Sequence, residues 1–363
     1  MTTMRRLVAA LRDAGSLPPR WEDTVAAVDR AGFVPDVCPG LDRAADEPAW
    51  LAAVYSDRPV VTQVDEGVPG GRGIPTSSSS QPSQMLEMLE LLDVHEGHRV
   101  LEIGTATGYH AAWLCHRLGS EHVTSVEIDR RLHEAARRNL AAAGYAPRLV
   151  LGDGTRGHPA GAPYDRIIST CTLREITPEL LAQTRDGGRI VTPFGSSFHS
   201  YSYLTLDVHG GVGEGRFSGR PAFMWSRTQA GRGADLSDVY HGERGERGTT
   251  DLDPAQLNDP EAMFAISLRV RDAWPEIDWE DDGSGEWTYW LLSDDRRSWA
   301  RTEYVPGRTE FTTEQHGPRR LWDEVAAAYR HWRSLGAPGR SRHRLRVTPE
   351  GWSVDVPAPP RPD

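Results

Sequence analysis

Lysine is absent from all 363 residues, so the 41 basic residues are all arginine. A chain that gripped nucleic acid through a general phosphate-binding surface would carry a positive balance, whereas this one carries a formal charge of −11. Arginines could still form a local basic patch, but nucleic acid is a poor first guess for a partner. Cysteine is nearly as scarce. Cys38, Cys115 and Cys171 are odd in number and far apart, which argues against both a disulfide framework and a metal cluster. They read as small buried hydrophobes. No apolar run approaches the roughly 18 residues of a membrane span, and Met1-Thr2-Thr3-Met4-Arg5-Arg6 lacks the apolar centre of a secretory signal. The expectation is a cytoplasmic globular protein with no membrane partner. Its composition, 38% hydrophobic and 26% charged, suits a full core, and its length suggests two domains.

What is present is organised around Val100-Leu101-Glu102-Ile103-Gly104-Thr105-Ala106-Thr107-Gly108-Tyr109-His110. A short apolar run, a small-residue loop between two glycines and a following Ala111-Ala112-Trp113-Leu114-Cys115 read as strand, tight turn and helix. Gly104 lets a ligand approach the backbone, and Gly108 lets the helix sit close on the strand. The spacing is neither G-x-G-x-x-G nor a Walker loop, which would also need the missing lysine. Pyrophosphate and triphosphate ligands therefore lose ground. An acid at Glu102 suits a cationic amino-acid headgroup beside a sulfonium, the polarity of S-adenosylmethionine.

Two later acids fall where a doubly wound sheet would use them. A second strand over 122–129 carries Glu127, roughly 20 residues past the glycine loop, where a carboxylate can accept both ribose hydroxyls. A third over 148–154 ends in Asp153, placed to take an adenine amino proton. Acids after strands also serve simply as caps of the next helix; the three together favour the cofactor pocket. The remaining strands are expected at 164–170, 187–194 and, antiparallel, 201–206, with a helix from Thr177, opened by Pro178, to Gln183. The fold class is thus α/β with a mostly parallel sheet.

Upstream, residues 4–32 show helical spacing in two pieces broken at Gly15-Ser16-Leu17-Pro18-Pro19, and 55–63 looks like a short strand. Ser77-Ser78-Ser79-Ser80 reads on composition as a flexible linker. Pro82-Ser83-Gln84-Met85-Leu86 opens a strongly amphipathic helix, however, so the serines are expected at a helix N-terminus facing whatever lies in front of it.

These stretches resemble the protein L-isoaspartate O-methyltransferases over roughly residues 5–205. The glycine loop is common to many methyltransferases; the Ser79-Ser80-Gln81-Pro82 stretch before a Met- and Leu-rich helix is specific to this family. The resemblance implies a class I S-adenosylmethionine-dependent methyltransferase, a Rossmann-like doubly wound sheet, with an N-terminal helical lid and serine loop over 1–92 and a core over 93–225. It implies S-adenosylmethionine as donor, S-adenosylhomocysteine as product, and no metal. Ser80 carries over as the catalytic residue between donor and substrate carboxylate. Ser78, Ser79, Thr170 and Cys171 fall on the substrate side. Ser77, Ser80, Glu102, Gly104, Thr105, Gly108, Tyr109, Glu127, Ile128, Asp153 and Gly154 fall on the donor side. Family members usually have Thr-Ile-Ser where this chain has Ser78-Ser79-Ser80.

Repair enzymes of that family finish near residue 205, and this chain runs about 158 residues further, with nine of its twelve tryptophans there. Residues 226–262 read as a linker or long loop, and 263–363 as a Trp-rich α+β domain. Its strands are expected at 263–270, 287–292 and 298–305, its helix on Leu321, Trp322, Val325, Tyr329 and Trp332, and a hairpin at 345–354. An ordinary core accounts for most such tryptophans. The extension resembles the branch that matures ribosomally made peptides, where a methyl ester of a side-chain carboxylate is attacked by the next backbone nitrogen to give an aspartimide. On that reading the partner is a dedicated, already modified precursor peptide. The alternatives are general isoaspartate repair and a non-catalytic scaffold that holds a peptide. A carboxylate with a pKa of about 3.9 needs no general base, and His98, His110 and His116 read as helix or surface residues.

Overall fold

The computed structural model describes residues 3–231 and 235–357. The chain opens with α1 (Thr3–Asp13), α2 (Glu22–Ala27), a minimal hairpin of β1 (Val37–Cys38) and β2 (Leu41–Asp42), and α3 (Glu47–Val54). β3 (Val60–Val64) and β4 (Pro75–Ser79) then pair antiparallel, with Val60 opposite Ser79. The expected strand over 55–63 thus starts later, because Tyr55 closes α3. The serines are a strand rather than a loop at a helix end. Ser77 and Ser79 are buried on one face in the alternation of a pleat, and β3 supplies backbone partners. Only Ser80 and Gln81 link β4 to α4 (Pro82–Leu92), whose Met85, Leu86, Met88, Leu89 and Leu92 are buried.

A βαβ series follows: β5 (Val100–Ile103), α5 (Tyr109–Leu118), β6 (Val123–Glu127), α6 (Arg130–Ala142), β7 (Arg148–Leu151), β8 (Tyr164–Ser169), α7 (Pro178–Gln183) and β9 (Thr184–Phe194). The parallel strands lie in the order β7-β6-β5-β8-β9. The chain reverses direction across the sheet between β5 and β8, the place where doubly wound sheets bind ligands at their carboxyl ends. Helices cover both faces, which is why β5 is buried at every residue. Thr177 caps α7 as expected, accepting from the Leu180 amide, with Pro178 first in the helix.

Beyond the expected antiparallel β10 (Ser202–His209), the sheet continues through β11 (Val212–Ser218). The span read as a linker instead holds β12 (Glu246–Thr250) and the start of α8 (Pro260–Ser267). The expected strand over 263–270 is this helix. Asp259 caps it, accepting from Glu261 and Ala262, and Pro260 opens it. Its apolar residues look continuous because it packs on both sides: Phe264 joins the core of the main sheet, and Ala262, Ala265 and Ile266 join that of the extension.

The extension builds a second, antiparallel sheet from β12, β13 (Ala273–Trp279), β14 (Trp287–Ser293), β15 (Trp299–Tyr304) and β16 (Phe311–His316), covered by α9 (Leu321–Ser334). Trp287, Trp290, Trp299, Trp322 and Trp332 are buried in it, as an ordinary core would have them, and Trp279 is exposed. The final hairpin, β17 (Arg344–Thr348) and β18 (Gly351–Asp355), leaves that sheet. It pairs with β11 and completes the nine-stranded main sheet, so the boundary expected at 263–363 does not separate the two sheets.

Candidate active site

A cavity of about 340 Å3 opens at the carboxyl ends of β5, β6, β7 and β8, within the size range of small-molecule sites. Gly104 turns the chain there with φ of +91°, and a Cβ on it would lie 2.8 Å from Thr170 Oγ1. The Gly104 carbonyl accepts from that hydroxyl at 2.7 Å, which commits Thr170 to the loop. Gly108, at φ +95°, packs on Leu140 of α6, away from the cavity lining. Gly154 is required by close approach, since a Cβ would meet Ile103 Cγ2 at 2.4 Å.

Glu127 ends β6 with one carboxylate oxygen accepting from the Ala106 amide at 2.8 Å and the other from the Asp129 amide at 2.9 Å. Burial pushes its carboxyl above the ordinary range, and those two amides pull it back. Each oxygen keeps a lone pair for a further donor. Asp153 Oδ1 accepts from the Thr155 amide and hydroxyl, at 2.9 and 2.7 Å, and both acids line the cavity beside Ile128.

Glu102 does not line it. It is fully buried, with His110 Nδ1 at 2.5 Å from one oxygen and the Ser125 hydroxyl donating to the other. Thr105 extends this chain, 2.6 Å from Ser125. The carboxylate expected to face a headgroup is thus engaged by His110 and Ser125 behind the cavity lining. His110, read as an ordinary helix residue, stands between it and the cavity. Tyr109 is buried against Phe33 and Trp113, with its ring at the cavity wall.

On the opposite bank, Ser77, Ser78, Ser79 and Ser80 all border the cavity. Ser77 Oγ accepts from Thr62, and Ser79 Oγ accepts from Arg30 Nε at 3.1 Å, which ties Ser79 to the scaffold. The Ser80 hydroxyl makes no hydrogen bond among the described residues. Arg30 was not singled out from the sequence, and it is the organiser of this bank. Fully buried, it donates to the carbonyls of Val54, Ser56, Arg58, Ser79 and Ser80 at 2.9–3.0 Å. Its signal was a basic residue, next to Asp29, inside the apolar spacing of Val25, Val28, Ala31 and Phe33. Cys171 borders the cavity with a thiol pushed up to about 11 by burial, so it stays protonated and is no nucleophile.

A sequence profile described as protein-L-isoaspartate(D-aspartate) O-methyltransferase matches residues 2–207. The chain belongs to that family. The isoaspartate O-methyltransferase of Methanothrix thermoacetophila is 38% identical over 193 residues, 53% of this chain and 80% of that protein. The one from Hyperthermus butylicus is 39% identical over 130 residues, 33% of this chain and 54% of that protein. A solved structure titled protein-L-isoaspartate O-methyltransferase covers 97% of this chain and 99% of its own at 22% identity, with a TM-score of 0.58. The class I methyltransferase fold, extension included, is thus a known architecture.

The family depends on S-adenosylmethionine, and the residues present fit that donor. The glycine backbone is open to close approach, Glu127 and Asp153 are acceptors at the strand ends, and the one arginine among the described lining residues, Arg227, is already paired with Asp129. A phosphate ligand would find no free cation among the described lining residues. No group of side chains among the described residues could hold a metal, and no described helix is long and apolar enough to cross a membrane.

Proposed function

We propose that this isoaspartate-methyltransferase family member is a carboxyl O-methyltransferase that esterifies isoaspartyl residues in proteins and peptides. The observation that carries the reading is Ser80. Its hydroxyl is free among the described residues, and it shares one cavity with Gly104, Glu127 and Asp153. Relatives that match most of the chain's first 207 residues carry the isoaspartate name, which supports the repair-type substrate.

The bound donor would supply a methyl group activated on a sulfonium. The acceptor carboxylate, with an ordinary pKa between about 3.3 and 3.9, is already an anion at neutral pH, so no base is required. Ser80 donates a hydrogen bond that orients the acceptor oxygen, and Arg30 holds the Ser80 backbone in place. Glu127 and Asp153 bind the ribose and adenine, with Ile128 and Gly154 lining the same end. The apolar wall of Pro59, Val61, Met85 and Phe223 keeps water from the nucleophile. Thr170, Gly104 and Thr105 shape the loop, and Glu102 acts through His110. A scaffold without turnover would have no need of an unengaged serine at this point.

A second reading is a dedicated precursor peptide, whose ester would close to an aspartimide with loss of methanol. One observation favours it: residues 222–226, outside the family match, wall part of the cavity. The extension itself no longer favours it, since a protein of the isoaspartate name shares the whole architecture.

The test is incubation with S-adenosylmethionine and matched aspartyl and isoaspartyl peptides, with mass detection of the ester and of the dehydrated imide. Broad methylation of isoaspartyl peptides supports the repair-type reading, and methylation confined to one modified precursor supports the second. The Ser80→Ala variant should lose about 100-fold in turnover while S-adenosylhomocysteine binding stays within about twofold. Equal loss of both would remove Ser80 from its role.

A further inference from the structure

The segment 222–228 follows β11 and lies beyond residue 207, where the family match ends. It lines the donor cleft as a strap that contacts both of its banks. Its root is held at the Gly219 carbonyl by Arg340 Nη1 at 2.9 Å. Its middle pairs in parallel with the residue after Cys171: the Thr172 amide donates to the Met224 carbonyl at 2.7 Å, and the Ser226 amide to the Thr172 carbonyl at 2.9 Å.

Its end reaches the other bank. Arg227 Nη2 donates to Gln63 Oε1 at 2.9 Å, and Nη1 donates to Asp129 Oδ2 at 3.1 Å, with Glu66 at 3.5 Å. Gln63 Nε2 donates to the same Asp129 oxygen at 3.1 Å, which closes a three-membered ring of side chains. Beside it, the Thr228 hydroxyl donates to Asp153 Oδ1 at 3.2 Å. Three elements meet here: the strap, the β3–β4 hairpin and the turn after β6; the hairpin is also tied by Arg131 Nη1, which donates to the Gly67 carbonyl at 3.0 Å, and by Arg72, which pairs with Asp235 at 2.6 Å. Arg227 is 22% and Asp129 9% exposed, so the pair is sheltered enough for its geometry to count.

We propose that Arg227 is a positioning residue that clasps the donor cleft shut over Glu127 and Asp153, so that donor entry and product release both wait for the clasp to open. The inference rests on donor binding in this cleft and not on which carboxylate is methylated. A guanidinium suits the task because its planar fork bonds the amide oxygen and the carboxylate at once, which an ammonium cannot match. Nothing covalent is involved.

The experiment is stopped-flow binding and displacement of S-adenosylhomocysteine on the full chain, with no acceptor present, followed by tryptophan fluorescence. Trp225 stands in the strap and borders the cavity. Wild type, Arg227→Gln, Arg227→Lys and Gln63→Ala are compared. The expected result is dissociation at least tenfold faster in Arg227→Gln and a few-fold faster in Gln63→Ala, with association faster as well, so that Kd moves less than either rate. Arg227→Lys should fall between Arg227→Gln and wild type. Rates within twofold of wild type in both Arg227→Gln and Gln63→Ala would overturn the clasp. Faster dissociation with unchanged association would also overturn it, since Arg227 would then bind the ligand directly. Should Arg227→Gln fail to fold, Gln63→Ala decides alone, because it removes one prong from a surface hairpin. Failure of wild type to bind S-adenosylhomocysteine would overturn the donor site itself, a result distinct from failure of the clasp.

Discussion

On the sheet side of the cleft, Gly104, Glu127 and Asp153 stand within two residues of the carboxyl ends of β5, β6 and β7, and each owes its place to its own strand. On the opposite side, Ser79 is held by Arg30 from 49 positions away, and Gln63 is reached by Arg227 from 164 positions away. The first bank is local chemistry on rigid strands. The second is assembled by two arginines that gather backbone and side-chain acceptors from separate parts of the chain. A site of the first kind is damaged by changing the residue that touches the ligand, and one of the second kind by changing a residue that does not.

That contrast is sharpest at Arg30. Replacement by alanine would take the donor from five carbonyl groups, those of Val54 and Ser79 buried, and leave a cavity, and should cost about 4 kcal/mol, read from the denaturant midpoint. Arg30→Lys should recover little, because three donors on one atom cannot serve carbonyls spread around a guanidinium. A loss below about 1 kcal/mol would mean that the serine bank holds itself.

The root of the strap offers a pH test of the same bank. His199 is buried beside the strap's anchoring residues, and burial, then the charges of Arg340 and Arg220, lower its pKa to about 4. Its unfolded value is about 6.5, so between those values the unfolded chain binds the proton that the folded one refuses. Stability from this group is complete above about pH 6.5 and lost as the pH falls toward 4, about 3 kcal/mol at most. His199→Gln should flatten thermal stability across that window. An unchanged pH profile would place the proton elsewhere.

On the sheet bank, Gly104→Ala would force a Cβ into left-handed backbone and against Thr170, at a cost of about 2 kcal/mol. Donor affinity should drop about tenfold in calorimetric titration, since the loop itself carries the ligand. Undisturbed affinity would show that this bank also depends on distant support. The smallest effect is expected for Thr177→Ala. It removes the cap of α7 for about 1 kcal/mol of stability and should leave donor binding untouched.

The legible parts of the molecule were those with a local cause. β5 to β7 announced themselves as apolar runs ending in Gly or acid, β8 by its Ile167-Ile168 core, and α7 by Thr177-Pro178. The same kind of signal, Asp259-Pro260, stood before α8 but was outweighed by an apolar stretch that looked like a strand because both sides of the helix are buried. The serine run carried no strand propensity, and its pairing came from β3. The β17–β18 hairpin was readable as a hairpin, yet nothing in it stated which sheet it would join.

At the site, Gly104, Glu127, Asp153 and Ser80, picked out by spacing and resemblance, border one cavity, while Glu102 lies behind its lining in the grip of His110 and Ser125. Arg30 and Arg227 were not found, because an arginine's reach exceeds any local pattern.

By itself the sequence determined the α/β class, the glycine loop and the acids at the strand ends, since each depends on neighbours a few residues away whose periodicity and backbone freedom are written in order. Tertiary structure alone decided that serines become a strand, that a late hairpin completes the first sheet, and that the extension reaches over the cleft. Those outcomes depend on buried hydrogen-bonding groups finding partners across the fold, and the partners are brought together only by packing.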